Sequence, residues 1–595
     1  MDIVANRPVR ARFFLLALAA CTAISAAAQA AQEPRGYKPI NPTMENKTVT
    51  LTGYDLTIED AIAVARYGAK VQFTPEAIKR ATEAAGLRTQ AGEQGMAVYG
   101  LNRGGGALRE EGRPLPINAE TPGVFGGAGP EVDEEDLVRA VMVLGANMMP
   151  TGTASAAAMQ ANIDMLNNRI TPVAYSRGTL GESDFPALAH MIGSAIRGHG
   201  DVYYEGVRMT AMEAFKKAGL KPTNAGGGGG NTYASALALL MVVDGRELLE
   251  WTDLVYAMDK IGMNSSITPM TAAVQARRPF KWVNWDAARI MDMLRGSYLF
   301  EADPKRILQD PQSLRASYIR QGSAWQAWSQ LRDDLLLQMN SSTANPVFVP
   351  GLKPEDSWEL STPHFMKYFV KGGEASKGIS GYATSTANWD PYPMTNSIEA
   401  FTNALGNMGA VVAQRIERFT DRGPTAFFTG IKPKDVMTPE QIMLAPSLIE
   451  PFFIYMDIWA EIQSLSTSVT AEGNAIDLGV ADIEAFSRVK GFRGRQVIDL
   501  MYMLLAHDLW NAAYWLDVRK IEDPKRNFGK APTAVWEAFR KVQPWQMETA
   551  KRPQIPYGVV AYDFMKANRA SSFYSGGPPM PGGDDQRDTR FVVGR

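Results

Sequence analysis

The feature that most constrains this chain is a set of long stretches in which apolar side chains return every three or four residues. Between residues 394 and 419, Ile398, Phe401, Leu405, Met408, Val412, Ile416 and Phe419 recur at helical spacing. Residues 441–465 make a second such stretch, with Pro446 and Pro451 as expected kinks or breaks. The start signals agree: Thr74-Pro75-Glu76 and Thr438-Pro439-Glu440 each set a capping hydroxyl before a proline at the first turn. Gly86 reads as the end of the first of these helices. Few segments alternate with period two, and there is no internal repeat. A helix with an apolar stripe must bury it against another element, so the expected fold is all-α, a bundle of long helices.

Composition removes several functions. Lys plus Arg is 61 and Asp plus Glu is 63, so no basic excess points to nucleic acid or to anionic lipid. The four histidines, His190, His199, His364 and His507, form no HExxH pair, and a single cysteine cannot build a thiolate metal site. No metal site is expected. Glycine-rich stretches at residues 104–106, 126–129 and 226–230 follow no strand, which argues against a phosphate-cradling loop. Past the N-terminus, no apolar run reaches the roughly 18 to 20 residues that a membrane span needs.

The N-terminus reads as a targeting segment. Arg7, Arg10 and Arg12 precede an apolar stretch over residues 13–28, and Ala28-Gln29-Ala30 fits the small-x-small cleavage rule. Cleavage after Ala30 would release a periplasmic or secreted protein. Leu18-Ala19-Ala20-Cys21 also fits a lipoprotein box, which would anchor the chain through its one cysteine. The expected organisation is a signal peptide over 1–30, an N-terminal extension over 31–46, a helical domain over 47–540, and a C-terminal extension with a mobile tail over 541–595. The mobile part is expected in the last thirty residues, where Gly, Pro and Asp cluster.

Six short blocks, in order between about Leu51 and Asp517, carry a resemblance to a known family. They are Val98-Tyr99-Gly100-Leu101-Asn102-Arg103-Gly104; residues 178–191, ending in Leu188-Ala189-His190-Met191; Gln309-Asp310-Pro311-Gln312-Ser313-Leu314-Arg315; Asn340 with Asn345-Pro346; Asn388-Trp389; and Thr467-Ser468 with Glu472. Together they resemble the histidine, phenylalanine and tyrosine ammonia-lyases. The resemblance implies a fold of the fumarase and aspartase-like helical kind, assembled as a homotetramer whose active sites draw on several chains. It implies Tyr99 as the acid or base at the substrate β-carbon, Arg315 as the anchor of the substrate carboxylate, and Glu472 as a group that holds or deprotonates the amine. Asn231, Gln309, Asn345 and Trp389 are implied in substrate binding. The chemistry is reasonable residue by residue: an arginine fork binds a carboxylate bidentately, and a tyrosine of lowered pKa moves a proton. Trp389, Phe348 and Tyr392 are candidates for an aromatic pocket or for core.

The resemblance breaks at the family's electrophile. That group, a methylidene-imidazolone ring, is made from a consecutive Ala-Ser-Gly of the chain itself. Here the positions are Gly181-Glu182-Ser183 or Glu182-Ser183-Asp184, depending on where one deleted residue falls. The first register lacks the serine whose dehydration supplies the methylene. The second lacks the glycine whose uncrowded nitrogen closes the ring. Residues 181–184 are therefore expected to remain ordinary backbone, with Ser183 and Asp184 capping a helix that begins near Phe185. No external cofactor is expected. Gly230-Asn231-Thr232-Tyr233 and Gln312 also depart from the family pattern. The function this supports is elimination from an aromatic amino acid or related aromatic carboxylate. A ring-free variant would use Tyr99 and Glu182 for proton transfer on a different leaving group. A binding protein that kept the fold is the non-catalytic reading.

Overall fold

The computed structural model describes residues 36–112, 126–181, 190–223, 230–419, 429–444, 451–469, 476–544 and 554–582. Its frame is a set of long helices: α1 (Pro75–Glu93), α2 (Thr232–Gly262), α3 (Lys281–Met293), α4 (Ser317–Gln338), α5 (Tyr392–Arg418), α6 (Pro451–Leu465), α7 (Ser487–Glu522) and α8 (Tyr557–Ala567). The long-helix bundle expected from the spacing is what the chain forms. Helix α2 is apolar on nearly every side and is buried along almost its whole length, as a central helix must be. It packs against α4 and α7, and α5 closes the group against α4 and α7. Pro451 opens α6, while Pro446 lies outside the described residues.

One expected helix end was wrong. Helix α1 runs through Gly86 to Glu93. A Cβ at Gly86 would fall 2.8 Å from the carbonyl oxygen of Ala375, so this glycine permits a close crossing and ends nothing. Ala375 lies in the turn joining two strands of a three-stranded antiparallel sheet, β1 (Val347–Pro350), β2 (Phe369–Val370) and β3 (Gly381–Thr384), in the order β1-β3-β2. Ala84, Leu87 and Ala91 of α1 pack with Phe348, Val370 and Ala383 beneath it. Phe348 is thus core. Three further sheets of two or three strands sit among the described residues. Their strands span three or four residues each, too few to show alternation in the sequence.

Buried ion pairs tie the helices together. Arg415 of α5 lies between Asp259 of α2, at 2.7 Å, and Asp508 of α7, at 2.6 Å, all three without exposed side-chain surface. Arg289 of α3 pairs with Asp253 of α2 at 3.0 Å. Asp253 also accepts from Gln321 and Trp325 of α4.

The expected mobile tail is docked as far as Gly582. Tyr574 Oη donates to Asp292 at 2.9 Å, Trp285 Nε1 donates to the carbonyl of Pro578, and Lys281 Nζ donates to that of Gly582. Aromatic and charged groups along α3 hold a stretch whose glycines and prolines alone suggested mobility. The signal-peptide and lipoprotein readings, like residues 583–595, lie outside the described residues. Among the described residues no helix is long and apolar enough to cross a membrane, and no cluster of His, Cys, Asp and Glu is arranged to hold a metal ion.

Candidate active site

Three long helices begin at one place. Asn231 directly precedes α2 and is fully buried. Its Nδ2 donates to the carbonyl of Trp389 and its Oδ1 accepts from Gln338 Nε2 at the end of α4, both at 3.2 Å. Trp389, just before α5, donates through Nε1 to the carbonyl of Thr386 at 2.9 Å. The Thr386 amide in turn donates to Asn345 Oδ1 at 3.0 Å. Asn231, Trp389 and Asn345 are therefore joined in one hydrogen-bonded chain. Gln338 and Thr386 complete it, and sequence reasoning had singled out neither. Asn340 has a structural task instead: its amide bonds both the N–H and the carbonyl of Leu56 at 2.9 Å.

The third helix enters through Gly181. This glycine adopts φ +114°, and a Cβ on it would fall 2.5 Å from Ser487 Oγ and 3.2 Å from the Ser487 amide nitrogen. Ser487 is the first residue of α7, and its hydroxyl shares a 2.7 Å hydrogen bond with Thr395 in the first turn of α5. The rings of Tyr233 on α2 and Phe492 on α7 meet edge to face with centroids 6.1 Å apart. The N-terminal ends of α2, α5 and α7 thus converge beside residue 181. Helix N-termini carry partial positive charge, so the place favours an anion or developing negative charge. Arg488, the residue after Ser487 in α7, is a further cation there, although burial, then nearby Arg177, holds its guanidinium below the usual arginine range.

Glu484 lies three residues before α7. Its side chain is 7% exposed, and its buried Oε1 has no hydrogen-bond partner. Phe486, between it and Ser487, sits at φ +51°, turning the chain sharply into the helix. A buried carboxylate oxygen without a partner is costly, and such costs collect at functional sites. One Glu in a loop carries no spacing signal, so only its burial reveals it.

Arg315 and Gln309 lie elsewhere. Arg315 Nη1 donates to Gln309 Oε1 at 2.5 Å. Between them Asp310 is buried and accepts from Lys260 Nζ at 3.0 Å and from the Ser266 amide at 3.1 Å. Tyr256 Oη donates to the carbonyl of Leu314 at 2.6 Å. The C-terminal part of α2 thus fixes the turn that presents Arg315. Arg315 stands at the start of α4, and Gln338 at its end. A helix of 22 residues spans about 33 Å, so one chain cannot bring its own Arg315 to its own Asn231 cluster.

Tyr99 sits half-buried in a loop, where its hydroxyl oxygen accepts from the Gly106 amide at 3.0 Å. Val98 and Leu101 on either side of it pack into the core under the β1-β3-β2 sheet. Glu182, Ser183, Asp184 and Glu472 lie outside the described residues.

Neither register holds Ala-Ser-Gly. In the register that sets Gly181 in the alanine position, an alanine methyl would press on Ser487 Oγ, which is itself held by Thr395.

The described elements form a helical bundle in which the N-termini of α2, α5 and α7 gather beside Gly181. The family comparison agrees: the model of the aromatic amino acid lyases matches residues 56–541, and the chain belongs to that family. A histidine ammonia-lyase of Stigmatella aurantiaca is 27% identical over 521 residues, 84% of this chain and 93% of its own length. Histidine ammonia-lyase 2 of Fusobacterium nucleatum is 29% identical over 323 residues, 51% of this chain, and the histidine ammonia-lyase of Treponema denticola is 31% identical over 322 residues, 52% of this chain. The chain spans only 62% and 63% of the length of these two relatives. Among solved structures, an ergothioneine-degrading ergothionase of Treponema denticola superposes with a TM-score of 0.74 at 22% identity, covering 88% of this chain and 99% of its own. A phenylalanine aminomutase of Pantoea agglomerans gives 0.71 at 18%, covering 87% and 98%. At such identities the likeness shows the shared fold.

Proposed function

We propose that this protein is an exported elimination lyase that acts, without the methylidene-imidazolone ring, on an aromatic amino acid or a related aromatic carboxylate. The observation that carries this is the convergence of three helix N-termini on Gly181, in a chain of the aromatic amino acid lyase family. In the elimination, one carbon gives its proton to a base and the C–H electron pair becomes the double bond. The adjacent carbon loses its substituent with the bonding pair. Without an electrophile, positive charge around the carboxylate acidifies the proton on the carbon next to it. In a 3-hydroxy or 3-amino acid that proton leaves and the group on the next carbon departs; in an aromatic α-amino acid the proton comes instead from the β-carbon and the amine departs from the carbon beside the carboxylate.

In this reading Tyr99 moves a proton, and Asn231, Asn345 and Trp389 line the substrate. The carboxylate is received by Arg315, oriented by Gln309, from a second copy of the chain, because a single chain keeps Arg315 about 33 Å away. A homotetramer supplies that second copy. Glu182, Glu472 and Glu484 are the carboxylates available as base or amine holder. Export follows from the basic and apolar N-terminus, with the Cys21 anchor as its variant.

The test is a screen of aromatic amino acids and their 3-hydroxy and 3-amino acid analogues, read by ammonia release and aryl acrylate absorbance. Turnover in the acids, abolished by Tyr99→Phe or lowered about 10²- to 10⁴-fold, supports the assignment. A two-water mass deficit in the peptide over residues 178–191 would restore the ring. Replacement of the triad also favours a binding protein. That reading wins if nothing turns over while aromatic carboxylates still bind in an Arg315-dependent way.

A further inference from the structure

The loop that carries Tyr99 is fastened from outside itself. Its first half is held by its own Asn102, whose Oδ1 accepts from the Val98 amide at 2.8 Å and whose Nδ2 donates to the carbonyl of Met96 at 2.7 Å, and by Arg88 of α1, which donates to the carbonyl of Gly100 at 3.3 Å. Its second half is tied to a distant part of the chain. The Gly106 amide donates to the Tyr99 hydroxyl oxygen, and the next amide, that of Ala107, donates to Asp477 Oδ2 at 3.0 Å. Asp477 stands 370 residues further along and opens a short turn, Asp477–Gly479. Asp477 and Leu478 both take left-handed conformations, φ +52° and +57°, which side-chain-bearing residues adopt only at a cost. Opposite them Gly106 is at φ +56°, and a Cβ there would fall 1.8 Å from Asp477 Oδ2. The two turns fit so closely that one must be glycine for the other to bring its carboxylate in.

We infer that Asp477 is a positioning residue that latches the Tyr99 loop, setting the tyrosine hydroxyl through the Gly106 and Ala107 peptides. Asp477 acts on Tyr99 only through the backbone between them. It fixes the Ala107 amide, and the adjacent Gly106 amide then holds the phenolic oxygen in one position and donates to any negative charge that develops on it. The role rests on the proposed part of Tyr99 in proton transfer. The strained left-handed pair gives the turn a reason to exist: a relaxed backbone there would carry the carboxylate elsewhere.

The experiment uses the full-length protein with Asp477→Ala, Asp477→Asn, Gly106→Ala and the Gly106→Ala/Asp477→Ala double variant. Hydrogen–deuterium exchange of the peptide over residues 98–112 is read without substrate, and kcat and KM are read with whichever substrate the screen yields. Asp477→Ala should speed exchange in this peptide while the unfolding midpoint stays put. It should lower kcat roughly 10- to 100-fold, the factor that a charge-assisted hydrogen bond is worth, with KM changed little. Asp477→Asn keeps an acceptor and should recover most of the loss. Gly106→Ala alone should resemble Asp477→Ala, and the double variant should lose less than the product of the two, since the collision is gone and only the left-handed strain at position 106 is added. Unchanged exchange in Asp477→Ala, or losses that simply multiply in the double variant, would overturn the latch. If no substrate turns over in the wild type, the lyase reading falls, and the exchange measurements still decide the latch.

Discussion

The ion pair between Asp310 and Lys260 offers a direct test of how the bundle presents Arg315. The two side chains are 0% and 1% exposed, with the oxygen and nitrogen 3.0 Å apart. Lys260 Nζ also reaches the carbonyls of Ser266 at 2.8 Å and Leu314 at 3.4 Å, so it spans both ends of the turn. Burial pulls the Lys260 ammonium below the usual lysine range, and Asp310 works against that pull. Asp310→Asn keeps the shape and can still accept from the Ser266 amide, but it leaves a buried cation with carbonyl dipoles as its direct partners and Asp259 acting on it only from a distance. Breaking such a pair from one side costs about 3–5 kcal/mol. Removing both charges, with Asp310→Asn and Lys260→Met together, should recover about half of this or more, because the remaining groups no longer need an ion's solvation. Urea unfolding of the wild type, both single variants and the double gives the coupling. Calorimetric titration of an aromatic carboxylate shows whether the Arg315 turn moves with it. A single-variant cost under about 1 kcal/mol, or strictly additive costs, would refute the argument.

Arg315→Lys should weaken carboxylate binding by about 1–3 kcal/mol, because a point charge replaces a two-pronged donor; calorimetry showing equal affinity would remove Arg315 from the site. Light scattering should find a tetramer, and a stable monomer at micromolar concentration would leave the Arg315 and Asn231 groups about 33 Å apart with no way to cooperate. Glu484→Gln keeps the size of the side chain and should leave the fold intact, while turnover falls at least about 100-fold; full activity in that variant would return the carboxylate role to Glu182 or Glu472. A pH effect is expected from Asp259 and Asp508, which share one arginine. Burial, then Asp508, pushes Asp259 well above the usual carboxylate range, and burial raises Asp508 too. The folded pair therefore keeps a proton that the unfolded chain releases near about pH 4. Its stabilisation is full below that value and is lost as pH climbs toward the folded pKa. Asp259→Asn should flatten the unfolding midpoint across that climb, and curves parallel to the wild type would count against a shared proton.

Much of the frame was legible because helical periodicity accumulates over length. Seven apolar positions between residues 394 and 419 leave little choice but the helix found at Tyr392–Arg418. Short elements offer no such repetition. The strands of two to four residues went unseen, and Gly86 was taken for a helix end, although its glycine serves a crossing that forms only when the β1-β3-β2 sheet arrives from some 290 residues away. At the site, the motif around Arg315 was legible as a motif, while the task of Asp310 within it was not. Its partner Lys260 lies 50 residues earlier on another helix.

The sequence by itself determined a bundle of long helices, membership of a lyase family, the loss of the residue triplet that makes the family's electrophile, and a set of candidate polar residues. These follow from chemistry written along the chain: period, residue type and order. Only the tertiary structure decided which of those residues meet. It joined Asn231, Asn345 and Trp389, sent Arg315 to the far end of α4, and exposed Glu484 and Asp477 as groups to test. The reason is that desolvation and proximity are properties of the packed state. A carboxylate in a loop looks the same in sequence whether water surrounds it or the ends of three helices exclude it.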